Sequence, residues 1–262
     1  MSDGAGVLNR VEAVLIDLDG VLYVEDDVIP GAVAAVRTLR EAGLGLRFVT
    51  NTTSRSRRGI VERLHRLGFA VDEAEVVTPA ALAVKLCAAR GARRVALLMN
   101  DDVKEDFAEL EEVPEDVDAV IVGDLGRDFN YDRLNAAFRA LMDGAELVAL
   151  QKNRFWLTPD GLSLDVGPFV AALEYAASRE ATVVGKPARA FFETVLDDLD
   201  VTSDRAAMVG DDVESDVGGA LRAGLAGVLV RTGKYREDAV RASGVEPTVT
   251  LESIAALPAA LR

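Results

Sequence analysis

The stretch VLIDLDGVLY, residues 14–23, places two aspartates directly behind a run of apolar and β-branched residues. Residues 13–17 are typical of a strand that is buried on both faces of a sheet. Asp17 and Asp19 repel each other at this spacing, and burying a carboxylate is costly unless a partner neutralises it. The stretch therefore predicts either a solvated strand end or a pair of acids that hold a cation and carry out chemistry.

Composition limits the class of protein. The chain has 262 residues, half of them hydrophobic, which suffices for a core domain with a smaller inserted domain. Its formal net charge of -15 argues against nucleic-acid binding and against binding to an anionic membrane. We expect neither a spanning helix nor a signal peptide. Cys87 is the single cysteine, so an internal disulfide is excluded and a cytoplasmic location is expected.

Short β-rich runs alternate with amphipathic helical runs along the chain. Several strand runs are continuously apolar, as expected where helices cover both faces of a parallel sheet. The pattern predicts an α/β fold with a doubly wound, Rossmann-like parallel sheet and right-handed crossovers. The predicted core strands are residues 13–17, 45–50, 182–185, 206–210 and 227–230. The predicted core helices are residues 31–42, 56–67, 188–199, 215–223 and 251–261.

The middle of the chain breaks this rhythm and indicates a second α/β unit inserted into the first. We predict a core of residues 1–79 and 181–262 and an inserted, smaller α/β domain of residues 80–180. Within the insertion, the pattern indicates strands at residues 93–102 and 117–125, a helix over 130–144, and a hairpin between 147 and 165 that turns at Asp160–Gly161.

Polar residues follow several predicted core strands at the point where each strand ends. In doubly wound sheets, ligands bind beyond the carboxyl ends of the strands. Carboxylates with oxygen-only partners suit Mg²⁺, which commonly bridges to a phosphate. One carboxylate can attack phosphorus, and another can protonate the leaving oxygen and then activate water. Hydroxyl, amide and ammonium groups can bind the phosphoryl oxygens. The residues in question are Asp17, Asp19, Thr50, Asn51, Lys186, Asp211, Asp212 and Asp216.

Each of these residues taken singly also fits a structural role, as a turn residue, a helix cap or a solvated strand end. Chance is a weaker explanation for Lys186, because the chain contains only five lysines and an ammonium is a compact point charge for phosphate. The agreement among the strand ends, rather than any one residue, favours chemistry over structure.

Four segments resemble the ordered motifs of the haloacid dehalogenase-like phosphatases. They are DLDGVLY (17–23), VTNTT (49–53), VGKP (184–187) and VGDDVESD (209–216). The insertion resembles the α/β cap of subclass IIA, the group of p-nitrophenylphosphatase-like enzymes. Finer pieces, among them LDVGPFVAALEYA (164–176), are similar to the phospholysine phosphohistidine inorganic pyrophosphate phosphatases and their relatives.

The resemblance implies a role for each residue of the first three motifs. Asp17 is the expected nucleophile and an Mg²⁺ ligand. Asp19 is the expected general acid and base, which binds Mg²⁺ through its backbone carbonyl. Thr50 and Asn51 are expected to bind phosphate. Lys186 is expected to orient the nucleophile and the phosphoryl group.

The resemblance also assigns the acids of the fourth motif and the partners. Asp211 is expected to bind the metal directly, and Asp216 to hold Lys186 or a metal-bound water from the second shell. Asp212 fits either of these roles. The implied cofactor is Mg²⁺ and the implied partner is a small phosphorylated molecule. Subclass members often pair through the cap, which suggests a homodimer.

The leading functional hypothesis is an Mg²⁺-dependent phosphatase that hydrolyses phosphomonoesters, pyrophosphate or phosphoramidates through an aspartyl-phosphate. Dehalogenation and phosphomutase chemistry remain alternatives on the same fold, although a dehalogenase has no use for Asp19 or Asp211. A phosphoacceptor signalling module or a binding protein is a third hypothesis, but receiver domains are about half this length and order their acids differently. Within the insertion, Arg154, Phe155 and Trp156 are candidates for leaving-group contacts, with packing of the inserted sheet as the competing interpretation.

Overall fold

The computed structural model describes residues 8–158 and 161–261, in which short strands and helices alternate. The strands are β1 (Ala13–Asp17), β2 (Tyr23–Val24), β3 (Asp27–Val28), β4 (Gly45–Val49), β5 (Val76–Val77), β6 (Arg94–Leu98), β7 (Glu111–Glu112), β8 (Ala119–Val122), β9 (Glu146–Ala149), β10 (Phe155–Thr158), β11 (Gly161–Leu164), β12 (Thr182–Val183), β13 (Ala206–Gly210), β14 (Ala226–Val230) and β15 (Val249–Leu251).

The helices of the described residues are short, none longer than 12 residues. They are α1 (Ala32–Glu41), α2 (Arg57–Arg66), α3 (Pro79–Arg90), α4 (Asp101–Lys104), α5 (Tyr131–Met142), α6 (Val166–Ala177), α7 (Arg189–Asp197), α8 (Gly219–Arg222), α9 (Glu237–Ser243) and α10 (Leu257–Ala260). A π-helix, Val213–Gly218, runs directly into α8. Within this described part of the chain, we find no helix with the length and apolar character needed to cross a membrane.

The first compact unit comprises the described residues up to Thr50, Val61–Val77, and the chain from Lys186 onward. Its six-stranded sheet has the order β15-β14-β13-β1-β4-β5, and the strands are paired in parallel. The register pairs Asp17 with Val49 on β4 and places Ile16 opposite Val209 on β13. Because parallel strands end at one edge, the residues that follow β1, β4, β13 and β14 share the carboxyl edge of this sheet.

The core of the first unit is built from strands that are buried throughout. Every residue of β1, β13 and β14 is buried, and Ala13–Ile16 are 0% exposed. Each large apolar side chain removed from water in this way contributes roughly 1.5–3 kcal/mol. The predicted α/β class with a parallel, Rossmann-like sheet is therefore confirmed.

The second compact unit comprises Asn51–Ile60 and Thr78–Gly185. It has its own five-stranded parallel sheet, with the order β12-β9-β8-β6-β7. Helices α5 and α6 pack together beside this sheet, and their core includes Leu141, Leu147 and Val170. The two units are defined by contacts among their own residues and not as folding domains. The predicted domain limits at residues 80 and 180 therefore stay a prediction.

Three local predictions need correction. The strand predicted at 182–185 forms, but as β12 it pairs with β9 of the second sheet rather than with the core sheet. The helix predicted over 215–223 is a π-helix followed by one α-helical turn. The helix predicted from Leu251 is preceded by strand β15, which includes Leu251. Elements of two to four residues carry too little periodicity for the sequence to define them.

Two antiparallel hairpins complete the structure. In the first unit, β2 pairs with β3 immediately after the Asp17–Asp19 segment. In the second unit, β10 pairs with β11, which confirms the predicted hairpin, and Phe155 lies opposite Leu164. Asp160 of the predicted turn lies outside the described residues.

Candidate active site

Asp17 and Lys186 form the centre of the candidate site. Asp17 is the last residue of β1 and is 8% exposed, so the buried central strand brings a carboxylate to the carboxyl edge of the sheet. Lys186, 3% exposed, lies with its Nζ 2.6 Å from Asp17 Oδ1 and 2.7 Å from Asp216 Oδ1. One ammonium therefore bridges two carboxylates, with the short contacts typical of charge-assisted hydrogen bonds.

The charges of this cluster control its proton affinities. Burial lowers the pKa of Lys186, but the charges of Asp17 and Asp216 outweigh burial and raise its pKa, so the ammonium stays protonated. Burial also raises the pKa of Asp17, although the ammonium of Lys186 opposes the rise. Burial raises the pKa of Asp216 to about 7 against the same opposing charge. Lys186 thus contacts two of the buried acids of this cluster, and burial raises the pKa of both.

Asp211 has one oxygen engaged and one without a partner. It directly follows β13, is 2% exposed, and accepts a hydrogen bond on Oδ2 from the Lys234 backbone N–H at 2.6 Å. Its Oδ1 is buried and has no hydrogen-bond partner among the described residues. Burial and then the charges of Asp17 and Asp216 raise the pKa of Asp211 to about 8. A buried acceptor without a donor is costly, so this oxygen is suited to bind a cation.

The carboxylates fit a divalent cation with a preference for oxygen. Asp17, Asp211 and Asp216 each offer one oxygen, and these three atoms lie within 4.8 Å of one another. Carboxylate oxygens are the donors that Mg²⁺ takes in proteins, and a divalent charge would offset the repulsion among the acids. The donor set and the unpartnered Oδ1 of Asp211 therefore both fit Mg²⁺.

Two glycines make room for these carboxylates. Gly20 has φ +84°, and a Cβ there would lie 1.9 Å from Asp211 Oδ2. A Cβ on Gly210 would lie 2.2 Å from the Asp216 Cβ. Neither distance is physically possible, so a glycine at each position is a requirement of the site rather than of the turn alone.

Asp19 lies on the turn that leaves β1. It is half-buried and bridges to Tyr23 in the backbone pairing of this turn. The negative charge of Asp19 raises the pKa of Asp17, but its effect is smaller than those of burial, Lys186 and Lys234. The following hairpin is fixed by Arg63, whose guanidinium carbon lies 4.5 Å from the centre of the Tyr23 ring.

The two residues predicted to bind phosphate fall in different units. Thr50 follows β4 directly, is 2% exposed, and donates its backbone N–H to Val77 O at 3.3 Å. Since Val49 is the partner of Asp17 in the register, Thr50 follows β4 at the same edge of the sheet. Asn51 belongs to the second unit, where its Oδ1 lies close to Gly185. Its predicted contact with phosphate stays a prediction.

Asp212 caps a helix. Its Oδ1 accepts hydrogen bonds from the backbone N–H groups of Glu214 at 3.0 Å and Ser215 at 2.9 Å, at the start of the π-helix. Its own N–H donates to Asp216 Oδ2 at 3.2 Å. This cap orients the segment that carries Asp216. It differs from both roles expected for Asp212, which were direct metal binding and support of Lys186 or a metal-bound water.

One segment of the site was missed by the sequence reasoning. Thr232 donates its hydroxyl to Gly20 O, and Lys234 donates its backbone N–H to Asp211 Oδ2. Burial lowers the pKa of Lys234, but the nearby acids, Asp211 first, outweigh burial and raise it. The sequence could have indicated these residues, because they follow the predicted strand 227–230 and ligands bind beyond the carboxyl ends of such strands. They also include one of the five lysines.

The candidates for leaving-group contacts in the second unit are Arg154, Phe155 and Trp156. Phe155 is 50% exposed, and the Arg154 guanidinium carbon lies 5.5 Å from the centre of its ring. The side chain of Trp156 lies outside the described part of the structure. A role in substrate contact or in packing is therefore not assigned to these three residues.

Comparisons with known proteins agree with this geometry. Residues 14–111 match the family model of haloacid dehalogenase-like hydrolases, and residues 183–257 match a HAD-hydrolase-like model. The chain is 44% identical over 243 residues to rat haloacid dehalogenase-like hydrolase domain-containing protein 2, covering 93% of each chain. It is 42% identical over 235 residues to phospholysine phosphohistidine inorganic pyrophosphate phosphatase of Xenopus laevis, covering 87% of this chain and 86% of that protein.

Solved structures give the same result. The 4-nitrophenylphosphatase of Thermotoga maritima matches with a TM-score of 0.91 at 27% identity, covering 98% of this chain and 99% of that one. The glycerol phosphate phosphatase of Mycobacterium tuberculosis, solved in complex with magnesium, matches with a TM-score of 0.83 at 32% identity, covering 96% and 77%. The family and subclass predicted from the motifs are confirmed.

Proposed function

The chain belongs to the haloacid dehalogenase-like hydrolases, as a hydrolase of the phosphatase type, and from that premise we propose an Mg²⁺-dependent phosphatase that acts through an aspartyl-phosphate on Asp17. The observation that carries the proposal is the bridge from Lys186 to Asp17 and Asp216, beside the unpartnered Oδ1 of Asp211. Phosphoryl transfer requires a nucleophilic carboxylate, a fixed positive charge and an oxygen atom that can bind a metal.

The acids of the cluster would hold the metal. Asp17 and Asp211 would bind it directly through their side chains, and Asp19 through its backbone carbonyl. Asp216 supports the group through Lys186, to which it lies at 2.7 Å. When bound, Mg²⁺ supplies positive charge that offsets the acids and draws a phosphoryl group to the site.

Asp17 acts first, as the nucleophile. Its carboxylate oxygen attacks phosphorus, and the bond from phosphorus to the leaving oxygen breaks. The leaving oxygen takes a proton from the carboxyl group of Asp19. Lys186 holds Asp17 Oδ1 in place and offsets the charge of the three peripheral oxygens, together with the hydroxyl of Thr50 and the amide of Asn51.

Asp19 then acts as a base. Its carboxylate takes a proton from a water molecule, and the water oxygen bonds to phosphorus. The bond from phosphorus to Asp17 breaks, which releases inorganic phosphate and restores both carboxyl groups. As general acid and base, Asp19 must exchange protons with the leaving group and with water. Its half-buried position on the turn is compatible with this.

We propose small phosphorylated molecules as substrates. The relatives include a protein named for phospholysine, phosphohistidine and pyrophosphate, and one named for glycerol phosphate. These names define a panel of N–P, P–O–P and C–O–P compounds.

The test is phosphate release from that panel, measured with Mg²⁺, with a chelator, and in Asp17→Asn. The control is Asp101→Asn, because the Asp101 side chain is 99% exposed. We expect turnover that requires metal, is abolished in Asp17→Asn and is unchanged in Asp101→Asn. Turnover that survives Asp17→Asn would remove the nucleophile from this mechanism, and metal-independent turnover would remove the magnesium.

We further propose a cytoplasmic homodimer that forms through the second unit. The hairpin β10–β11 supports this, because Phe155, Leu162 and Leu164 are 50%, 72% and 64% exposed. Such apolar exposure on one short hairpin is typical of a surface that is covered in an assembly. Sedimentation of the native chain should give a dimer, and the double substitution Leu162→Asp with Leu164→Asp should give a monomer. A monomeric native chain would contradict the proposal.

A further inference from the structure

The loop after β14, Thr232–Lys234, ties two segments of the candidate site together. Thr232 Oγ1 donates a hydrogen bond to the carbonyl oxygen of Gly20, on the turn that carries Asp19. Lys234 donates its backbone N–H to Asp211 Oδ2 at 2.6 Å. None of the four motifs includes these residues, yet the loop contacts both the first motif and the fourth.

The same loop encloses the Asp211 carboxylate sterically. Gly233 has φ +61°, and a Cβ there would lie 2.1 Å from Asp211 Oδ2 and 2.4 Å from the Gly20 Cα. A Cβ on Gly20 would lie 1.9 Å from the same oxygen. The carboxylate is therefore held between two backbone segments that approach closely only because both carry glycine.

We propose that Thr232–Lys234 is a positioning loop that selects which oxygen of Asp211 meets the metal. The loop engages Oδ2 through the Lys234 N–H and leaves Oδ1, which is buried and without a hydrogen-bond partner among the described residues, as the ligand atom. This inference rests on the magnesium site of the proposed function. Groups that orient a metal ligand in this way typically change metal affinity 10- to 100-fold when they are altered.

The first test is Gly233→Ala in the full chain. The probe is Mg²⁺ alone, with affinity measured by calorimetric titration and by the metal-dependent rise in melting temperature. The matched control is Gly244→Ala, because Gly244 has φ +66° and no atom within 4 Å of a Cβ placed there. Both variants carry similar backbone strain, but only the first displaces the carboxylate. We expect about 10- to 100-fold weaker Mg²⁺ binding in Gly233→Ala and native affinity in Gly244→Ala.

The second test is Thr232→Val, which keeps the shape of the side chain and removes the donor to Gly20 O. Its control is Thr194→Val, which removes a hydroxyl that donates to Ala190 O at 2.8 Å on helix α7. We expect Mg²⁺ affinity to fall about 2- to 10-fold in Thr232→Val, the range set by one hydrogen bond, and to stay native in Thr194→Val. If Gly233→Ala does not fold, this pair decides the question.

The outcomes separate the loop from the metal site. Native Mg²⁺ affinity in a folded Gly233→Ala or in Thr232→Val, with binding intact in the native chain, overturns the positioning loop and leaves the proposed function standing. Absence of Mg²⁺ binding in the native chain by both methods overturns the metal site itself, and the loop with it. Weaker binding in the loop variants and native binding in both controls supports the inference.

Discussion

The Lys186 ammonium lies 2.6 Å from Asp17 Oδ1, although 169 residues separate the two along the chain. Both side chains are almost fully buried, so the pair is stable only because each charge compensates the other and Asp216 accepts a second contact. The contact therefore serves two purposes, since it maintains the fold around the carboxylates and fixes the orientation of the proposed nucleophile.

Removing the ammonium tests both purposes. We expect Lys186→Met to lower kcat/KM for phosphate release at least about 100-fold, because it removes a fixed charge at the phosphoryl group. It should also destabilise the fold by about 3–5 kcal/mol, because Asp17 and Asp216 are left buried without a counter-charge. Steady-state kinetics and urea unfolding measure the two effects.

The control for that substitution is Lys104→Met. Lys104 contacts Glu112 at 2.9 Å on the surface of the second unit, and such exposed pairs contribute about 0–1 kcal/mol. Equal losses in the two variants would show that the buried contact has no special importance.

Substituting Asp19 separates the two chemical steps. With p-nitrophenyl phosphate, whose leaving group needs no acid, Asp19→Asn should still transfer phosphate to Asp17 but hydrolyse the intermediate slowly. We expect a burst of one equivalent of p-nitrophenol and a phosphorylated protein by mass spectrometry. Asp26→Asn is the control, since the Asp26 side chain is 96% exposed. A slow reaction without a burst would place Asp19 in the first step alone.

The raised pKa values predict a pH dependence of stability. Asp216 and Asp211, with pKa values of about 7 and about 8, bind protons in the folded state at pH values where the unfolded chain, with a pKa near 4, does not. Their protonation therefore stabilises the metal-free fold at low pH, and this stability is lost as the pH rises from about 4 through about 8.

Magnesium should reverse that trend, because it binds the deprotonated carboxylates. We expect the melting temperature of the metal-free protein to fall between pH 5.5 and 8.5, and the increase on adding Mg²⁺ to be larger at pH 8.5. At 100 times the dissociation constant the increase should be about 5–10 °C. Thermal unfolding with Mg²⁺ and with chelator measures this, and an increase that is equal at both pH values would contradict the link between metal and protons.

The glycine beneath Asp216 gives a steric prediction. Gly210→Ala would place a Cβ 2.2 Å from the Asp216 Cβ and 2.3 Å from its Oδ2, so the Asp216 side chain must shift from the position in which it contacts Lys186. We expect a loss of about 1–3 kcal/mol in stability, as in other overpacked sites, and a fall of at least tenfold in kcat/KM. Gly43→Ala is the control for a loss of stability alone, because Gly43 has φ +79°, which strains an alanine, while a Cβ there meets no atom within 4 Å. Native kinetics in Gly210→Ala would show that the position of Asp216 is not critical.

The sequence was most informative where burial was continuous. The bounds of β1 and β13 were predicted to the residue, because both strands are apolar throughout and end at acids or glycine. The same acids indicated the cluster of Asp17, Asp211 and Asp216. Local pattern suffices here because the chemistry directly follows the strand that delivers it.

The sequence alone could not show which distant strands pair with one another. Strand β12 has two half-buried residues, and nothing local distinguishes a partner in one sheet from a partner in the other. The cap formed by Asp212 and the contact of Thr232 with Gly20 depend on close approach in three dimensions. Such contacts become visible only once the register of β1, β13 and β14 is known.

The long separation of Asp17 and Lys186 has a consequence for biosynthesis. A ribosome that adds about 5–20 residues per second needs about 10–30 s to proceed from the first residue to the second. Strand β13, the neighbour of β1 on one side, follows later still. During this interval the nascent chain carries the nucleophile without its counter-charge and β1 with an open edge, a state that is prone to aggregation. A chain that ends before residue 186 therefore has neither the ammonium that contacts Asp17 nor the strand that carries Asp211 to the site.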